Sequence, residues 1–271
     1  MISSEALLCP KRWLKGVPNA LTLCNSLCGF WAILNTLDAY NRDPVDSSTA
    51  AIFAVSAWLI LSAMIFDALD GFAARLLNAI SMHGVQMDSL ADMVTFGVAP
   101  ATVMAILTHK LRGTMTGSQE FITYMLCAVY LGGAALRLAT YNVHAIQKKS
   151  GDVFSGLPSP GAAAAVCSVV LFAEGAKIHL DNIAGWLPVY AAVLGVLMVS
   201  PVPYMHFGKW LVNLRRHPRQ IWLLLALILV VAVFRGYGVL VLITLYVLSG
   251  PVMWLFRLLT GRDLRLLEGG D

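Results

Sequence analysis

Stretches of apolar residues long enough to cross a lipid bilayer recur along the whole chain, near 18–37, 49–70, 86–107, 121–143, 158–175, 184–203, 219–235 and 237–258. A bilayer core needs roughly 17 to 25 such residues per helix, and inside it no water is present to bond a free backbone N–H or C=O, so each crossing segment is read as a helix that satisfies its own backbone. Only 13% of the 271 residues are charged, about half the share of a soluble chain. The expectation is an all-α, polytopic membrane protein with eight spans. The breaks at 38–48, 108–120, 144–160 and 206–219 are polar or rich in Gly and Pro, as connections between spans are, and none of them separates a second folded domain.

Loop charge orients this arrangement, because cytoplasmic connections collect Lys and Arg. With the N-terminus inside, thirteen of the 19 basic residues fall on the inner side, among them Lys11, Arg12, Lys15, Arg75, Lys148, Lys149, Lys209, Arg215, Arg216, Arg219, Arg257, Arg262 and Arg265. Arg42, Lys110, Arg112, Lys177 and Arg235 fall outside, and Arg137 lies within a span. The net charge of +4 is thus explained by topology and contact with anionic headgroups, which leaves no case for a nucleic-acid partner. The N-terminal apolar run is too long for a signal peptide and is interrupted by Asn19 and Asn25, so it is read as a retained first span. Five cysteines, Cys9, Cys24, Cys28, Cys127 and Cys167, imply no disulfide framework.

Against this background four aspartates stand close together: Asp67, Asp70, Asp88 and Asp92. One charge near the middle of a membrane helix costs about 2.5 to 3.5 kcal/mol, so four without compensation cost on the order of 10 kcal/mol. On a helix, positions 67, 70, 71, 74 and 75 form one stripe and 84, 88 and 92 another, so two helices can face each other with the four carboxylates between them. Arg75 is the one basic residue in the stretch. Divalent cations compensate better, and an all-oxygen ligand set favours Mg²⁺ or Mn²⁺ over zinc. Gly71, Ala74 and Gly84 share the stripes with the acids; they serve either close helix packing or the approach of a phosphate group to backbone.

The full run, Asp67-x2-Asp70-Gly71-x2-Ala74-Arg75-x8-Gly84-x3-Asp88-x3-Asp92, resembles the signature of the CDP-alcohol phosphotransferases at eight positions with fixed gaps. That resemblance implies a membrane enzyme with six core spans, here followed by about two more, that moves a substituted phosphoryl group from a CDP-linked donor to an alcohol and releases CMP. It further implies two metal ions per subunit held at the cytoplasmic helix ends by Asp67, Asp70, Asp88 and Asp92, and a homodimer. Asp92 would complete the second metal site or act as general base on the alcohol, while Gly71, Ala74, Arg75 and Gly84 would lie against the nucleotide.

Outside the signature, Pro18-Asn19-Ala-Leu-Thr22 is similar to a stretch that contributes nucleotide contacts in relatives using CDP-diacylglycerol, which places Asn19 and Thr22 in the donor site. Two later stretches, Arg137-Leu-Ala-Thr140-Tyr141-Asn142 and Phe154-Ser-Gly156-Leu-Pro158-Ser159-Pro160-Gly161, resemble the bacterial phosphatidylserine synthases of that family. Arg137 and Asn142 then become candidates for holding the acceptor or a phosphate, an intramembrane Arg being a functional candidate by default. Thr140 stands where many relatives carry a second basic residue. The reaction implied is transfer of phosphatidyl from CDP-diacylglycerol to L-serine in the cytoplasmic membrane, with the site facing the cytoplasm and membrane lipids as surroundings. Its rivals are the same chemistry on choline, glycerol 3-phosphate or an inositol phosphate, and a cation transporter. Residues 1–205 form the expected catalytic unit and 206–271 an addition of further helices and a tail.

Overall fold

The computed structural model describes residues 16–42, 47–77, 81–147, 156–176, 184–204 and 218–260. Several residues used above to orient the chain, among them Lys11, Arg12, Lys15, Lys148, Lys149 and Arg215, lie outside these ranges, as do Cys9, Phe154 and Ser155. All of the regular elements described are helical: α1 (Val17–Asn41), α2 (Ser47–Leu76), α3 (Met82–Arg112), α4 (Gly117–Gln147), α5 (Ser159–Ala176), α6 (Leu187–Val199) and α7 (Pro218–Thr260). Among the described residues five helices are long and apolar enough to cross a membrane, and α5 and α6 are shorter apolar helices. The protein is a multi-pass, all-α membrane protein.

Helix α1 shows how such a chain packs. Its protein-facing stripe is Pro18, Thr22, Asn25, Gly29, Ala32, Thr36 and Ala39, spaced alternately by four and three and made of small or polar side chains. Its large apolar side chains, including Leu23, Leu27, Phe30, Trp31 and Leu34, are exposed. Lipid is as apolar as leucine, so burying leucine gains little there; close backbone approach and interhelical hydrogen bonds hold the helices instead. Thr36 and Ser56 make one such bond between α1 and α2, at 3.2 Å. Helices α4 and α6 meet at Gly133 and Gly195, where a Cβ on Gly133 would lie 2.8 Å from the carbonyl carbon of Gly195.

Helix α3 is interrupted. Met82–Asp92 and Ala99–Arg112 are α-helical, and Met93–Val98 between them is one wide π turn. Pro100 explains it: proline has no N–H for the carbonyl four residues back and its ring crowds that carbonyl. The carbonyl in question belongs to Phe96, and the buried Tyr130 hydroxyl donates to it at 2.8 Å. The same substitution recurs in α7, where Pro251 lies inside the helix and Tyr204 donates to the carbonyl of Val247 at 2.9 Å. In both places a tyrosine from another segment replaces the donor that proline lacks.

Two expectations of detail change. The segments 219–235 and 237–258 were drawn as two spans, but they run within the single helix α7, whose portion Gly236–Phe256 is long and apolar enough to cross. Between Arg235 and Tyr237 there is one glycine and no turn-forming sequence, so hydropathy dips without the chain reversing. The gap between the expected spans 49–70 and 86–107 is also shorter, since α2 runs on to Leu76 and α3 begins at Met82. Hydropathy ends where the polar motif begins, whereas the helix carries the motif onward.

Candidate metal and nucleotide site

The site lies where the end of α2, the beginning of α3 and the beginning of α1 converge. Ser81 sets the start of α3: its extended backbone and its Oγ, which accepts the N–H of Gly84 at 3.0 Å, form an N-cap that satisfies a donor left open by the first turn. On α1, Pro18 occupies the first turn, where its fixed φ suits a helix and its missing N–H costs nothing.

Asp67, Asp70 and Asp88 come together. Each offers one carboxylate oxygen, and the three oxygens lie within 4.8 Å of one another. Asp70 is buried and Asp67 and Asp88 are partly buried. One oxygen of Asp88, Oδ1, is buried with no hydrogen-bond partner. Among the described residues no ion pair reaches this cluster, since the recorded pair joins Arg42 to Asp38 at 2.8 Å and Arg75 is exposed at the end of α2. Three converging carboxylates, one with an orphaned buried oxygen, fit a divalent cation with oxygen ligands.

Asp92 is placed differently. It is not one of the three, although Asp67 and Asp88 dominate its electrostatic surroundings. Its Oδ1 accepts a hydrogen bond of 3.0 Å from the amide Nδ2 of Asn25. Asn25 is fully buried, and a carboxylate only accepts, so the amide must turn its NH₂ toward Asp92. That leaves Asn25 Oδ1 without a partner. The backbone carbonyl of Asn25 accepts from Thr95 Oγ1 at 3.1 Å, which ties α1 to the π turn directly after Asp92. A Cβ on Gly29 would come within 2.8 Å of the Thr95 Cα, so only glycine permits this approach.

The other sequence-named residues take these positions. Thr22 donates to Asp70 Oδ2 at 2.8 Å. The Asn19 side chain lies beside Gly84, whose added Cβ would stand 3.7 Å from Asn19 Oδ1. Gly71 borders open space, the nearest atom to an added Cβ being the Arg75 guanidinium at 3.9 Å. Close packing is therefore not what requires a small residue at 71. Ala74 is half-buried on the same stripe. Asn142 Oδ1 lies 2.8 Å from the Ser89 hydroxyl, one residue beyond Asp88, and so braces α3 against α4. Arg137 is partly buried, its Nε has no partner, and its electrostatic neighbours are Tyr246, Tyr141 and Asp92. Sequence reasoning missed Asn25 and Ser89. Asn25 follows Thr22 by three on an otherwise small and apolar stripe, and a buried amide inside a membrane helix was the available signal.

Residues 15–199 match the CDP-alcohol phosphatidyltransferase family. The chain is similar to a CDP-diacylglycerol–serine O-phosphatidyltransferase of Helicobacter pylori, 33% identical over 207 residues, 75% of this chain and 81% of that protein. Similarity extends to a protein of the same name from Bacillus subtilis, 33% identical over 196 residues, 71% of this chain and 92% of the other. It also extends to an archaetidylserine synthase of Methanothermobacter thermautotrophicus, 31% identical over 192 residues, 69% of each. With its aspartate signature folded into one acidic cluster and the match spanning six of the seven helices, this chain belongs to the CDP-alcohol phosphatidyltransferase family.

Proposed function

We propose that this protein transfers the phosphatidyl group of CDP-diacylglycerol to the hydroxyl of L-serine, giving phosphatidylserine and CMP. The observation that carries the reading is the division of the four signature aspartates into a converging group of three and a fourth held by Asn25. Similarity to the serine-named relatives supports the acceptor.

Asp67, Asp70 and Asp88 would hold the divalent cations, Mg²⁺ or Mn²⁺, with two per subunit implied by the family. Held by these carboxylates, divalent cations would supply the positive charge that neutralises a pyrophosphate donor and stabilises the leaving phosphate. Asn19 and Thr22 from α1, with Gly71, Ala74, Arg75 and Gly84, form the donor side; the open space at Gly71 lets the nucleotide approach helix backbone. Asp92 takes the proton of the serine hydroxyl as its oxygen attacks the phosphorus that carries the diacylglycerol; the bond from that phosphorus to the CMP oxygen breaks, and CMP leaves. Asn25 directs one Asp92 oxygen away from that proton and leaves the other to receive it. Arg137 holds the acceptor carboxylate, and Asn142 acts through Ser89 to keep the Asp88–Asp92 turn in place.

The proposed catalytic unit is residues 1–205, with 206–271 added to it. In this reading the protein works as a homodimer in the cytoplasmic membrane with the site toward the cytoplasm, a topology supported by the excess of Lys and Arg in the expected inner connections. Purified protein given CDP-diacylglycerol and Mn²⁺ or Mg²⁺ should release CMP when L-serine is added. Release that ignores serine but follows choline, glycerol 3-phosphate or an inositol phosphate would replace the acceptor, and no release with any alcohol would overturn the reading.

A further inference from the structure

Thr22 lies on the protein-facing stripe of α1 and is 4% exposed. Its Oγ1 stands 2.8 Å from Asp70 Oδ2 and 3.0 Å from the carbonyl oxygen of Pro18. A hydroxyl has one proton to donate, and the two acceptors are unequal. Within an α-helix the Pro18 carbonyl also takes the N–H four residues on, whereas a carboxylate draws the stronger, charge-assisted bond. The proton therefore goes to Asp70. None is left for a nucleotide, and so little of the side chain is exposed that a nucleotide has almost nothing of it to touch.

Asp70 is one of three carboxylates whose oxygens lie within 4.8 Å of one another. Like charges that close repel, and a side chain free to turn would swing its carboxylate away from the other two. The bond from Thr22 anchors one Asp70 oxygen to α1, a helix that carries none of the signature aspartates. Asn25, three residues on and on the same stripe, does the same for Asp92 of α3. Helix α1 thus grips one acid on each of the two helices that carry the signature. Groups placed behind a metal ligand in this way fix its orientation, and losing one typically weakens metal binding or activity about 10- to 100-fold. We infer that Thr22 is a positioning residue, which holds Asp70 in place for a divalent cation and serves the donor side through Asp70, not by contact with the nucleotide. The inference rests on the metal role proposed above for Asp67, Asp70 and Asp88.

Thr22→Val keeps the branched shape and removes the hydroxyl; Thr22→Ser keeps the hydroxyl. Binding of Mn²⁺ to full-length protein in detergent, without nucleotide or lipid, is read from the electron paramagnetic resonance signal of free Mn²⁺. Thr22→Val should raise the Kd for Mn²⁺ about tenfold, about 1.4 kcal/mol, and Thr22→Ser should stay within about threefold of the wild type. In CMP release at saturating Mn²⁺, the KM of Thr22→Val for CDP-diacylglycerol should stay within about twofold of the wild type. An unchanged Kd for Mn²⁺ in Thr22→Val overturns the positioning role, and a raised KM at saturating Mn²⁺ overturns it in favour of a nucleotide contact. Mn²⁺ held as weakly by Thr22→Ser as by Thr22→Val overturns it too, since the hydroxyl is then not what matters. Wild-type protein that binds Mn²⁺ no more tightly than Asp70→Asn overturns the metal role and the inference together. Should Thr22→Val fail to fold, an unchanged Kd for Mn²⁺ in Thr22→Ala overturns the inference as well.

Discussion

Replacing Asn25 by leucine tests the division of labour among the four aspartates. The side chain is fully buried, and its amide donates to Asp92 Oδ1 at 3.0 Å. Leucine has the same branched shape, with two bulkier methyl groups and no polar atom, so the variant also removes the unpartnered Oδ1, and thermal unfolding reports any cost of the added bulk. The Thr95 bond goes to the backbone carbonyl of residue 25 and survives. The loss is confined to the hydrogen bond on a carboxylate, worth about 1.5 to 3 kcal/mol. If the bond orients Asp92 toward the acceptor hydroxyl, that energy appears in the barrier as a fall in kcat of about 10- to 150-fold, while the KM for CDP-diacylglycerol stays within about threefold. The assay is CMP release across a grid of both substrates, with thermal unfolding of the purified protein in the same detergent as the control for folding. A folded Asn25→Leu protein with kcat within twofold of the wild type would refute the reasoning. A rise in both KM values at constant kcat would refute it too, by showing that Asn25 shapes the site without orienting the base.

Two glycines give opposite expectations. Gly71→Ala meets only the tip of Arg75 and should melt within a degree or two of the wild type while losing most CMP release; Gly29→Ala drives a methyl group into the Thr95 backbone and should cost about 1 to 3 kcal/mol of stability. Full activity in Gly71→Ala would remove that residue from the donor site. Tyr130→Phe strips the donor from the Phe96 carbonyl and should destabilise by about 0.6 to 1.7 kcal/mol, the range of such bonds between membrane helices; a smaller loss when Pro100→Ala is added would identify the missing proline N–H as the reason for the bond, and equal losses would discard that account. Asp88→Asn removes one of three converging charges and should abolish Mn²⁺-dependent CMP release while leaving the protein folded, and retained turnover at ordinary Mn²⁺ would remove Asp88 from the ligand set.

What the sequence displayed and what it hid differ in kind. Most chain reversals were legible because lipid enforces them: the polar breaks at 38–48, 108–120 and 144–160 separate helices that the structure keeps, whereas the start of α3 after Ser81 was expected only at 86. The pairing of the 67/70 and 88 carboxylates was legible as well, because spacings of three and four put side chains on one face and because the cost of an unmatched charge in lipid forces such side chains together. Contacts that depend on which helices become neighbours were not. Nothing in the string says that Asn142 will find Ser89 or that Asn25 will find Asp92; both pairings cross from one helix to another, over separations of 53 and 67 residues.

The two proline-tyrosine pairs connect these levels. In water, a carbonyl freed by proline takes a water molecule; in lipid it needs a protein donor, and its neighbours must provide one. Pro100 therefore does more than widen the turn after Asp92: it frees a carbonyl that Tyr130 of α4 satisfies, and so fixes α3 to α4 beside the proposed base. Pro251 does the same for Tyr204 and α7. Each proline weakens its own helix but strengthens the contact to another segment. A helix break in such a chain is a place where the membrane's intolerance of bare carbonyls is converted into a tertiary bond, and the sequence reader who finds a proline in an apolar run should look for the hydroxyl that answers it.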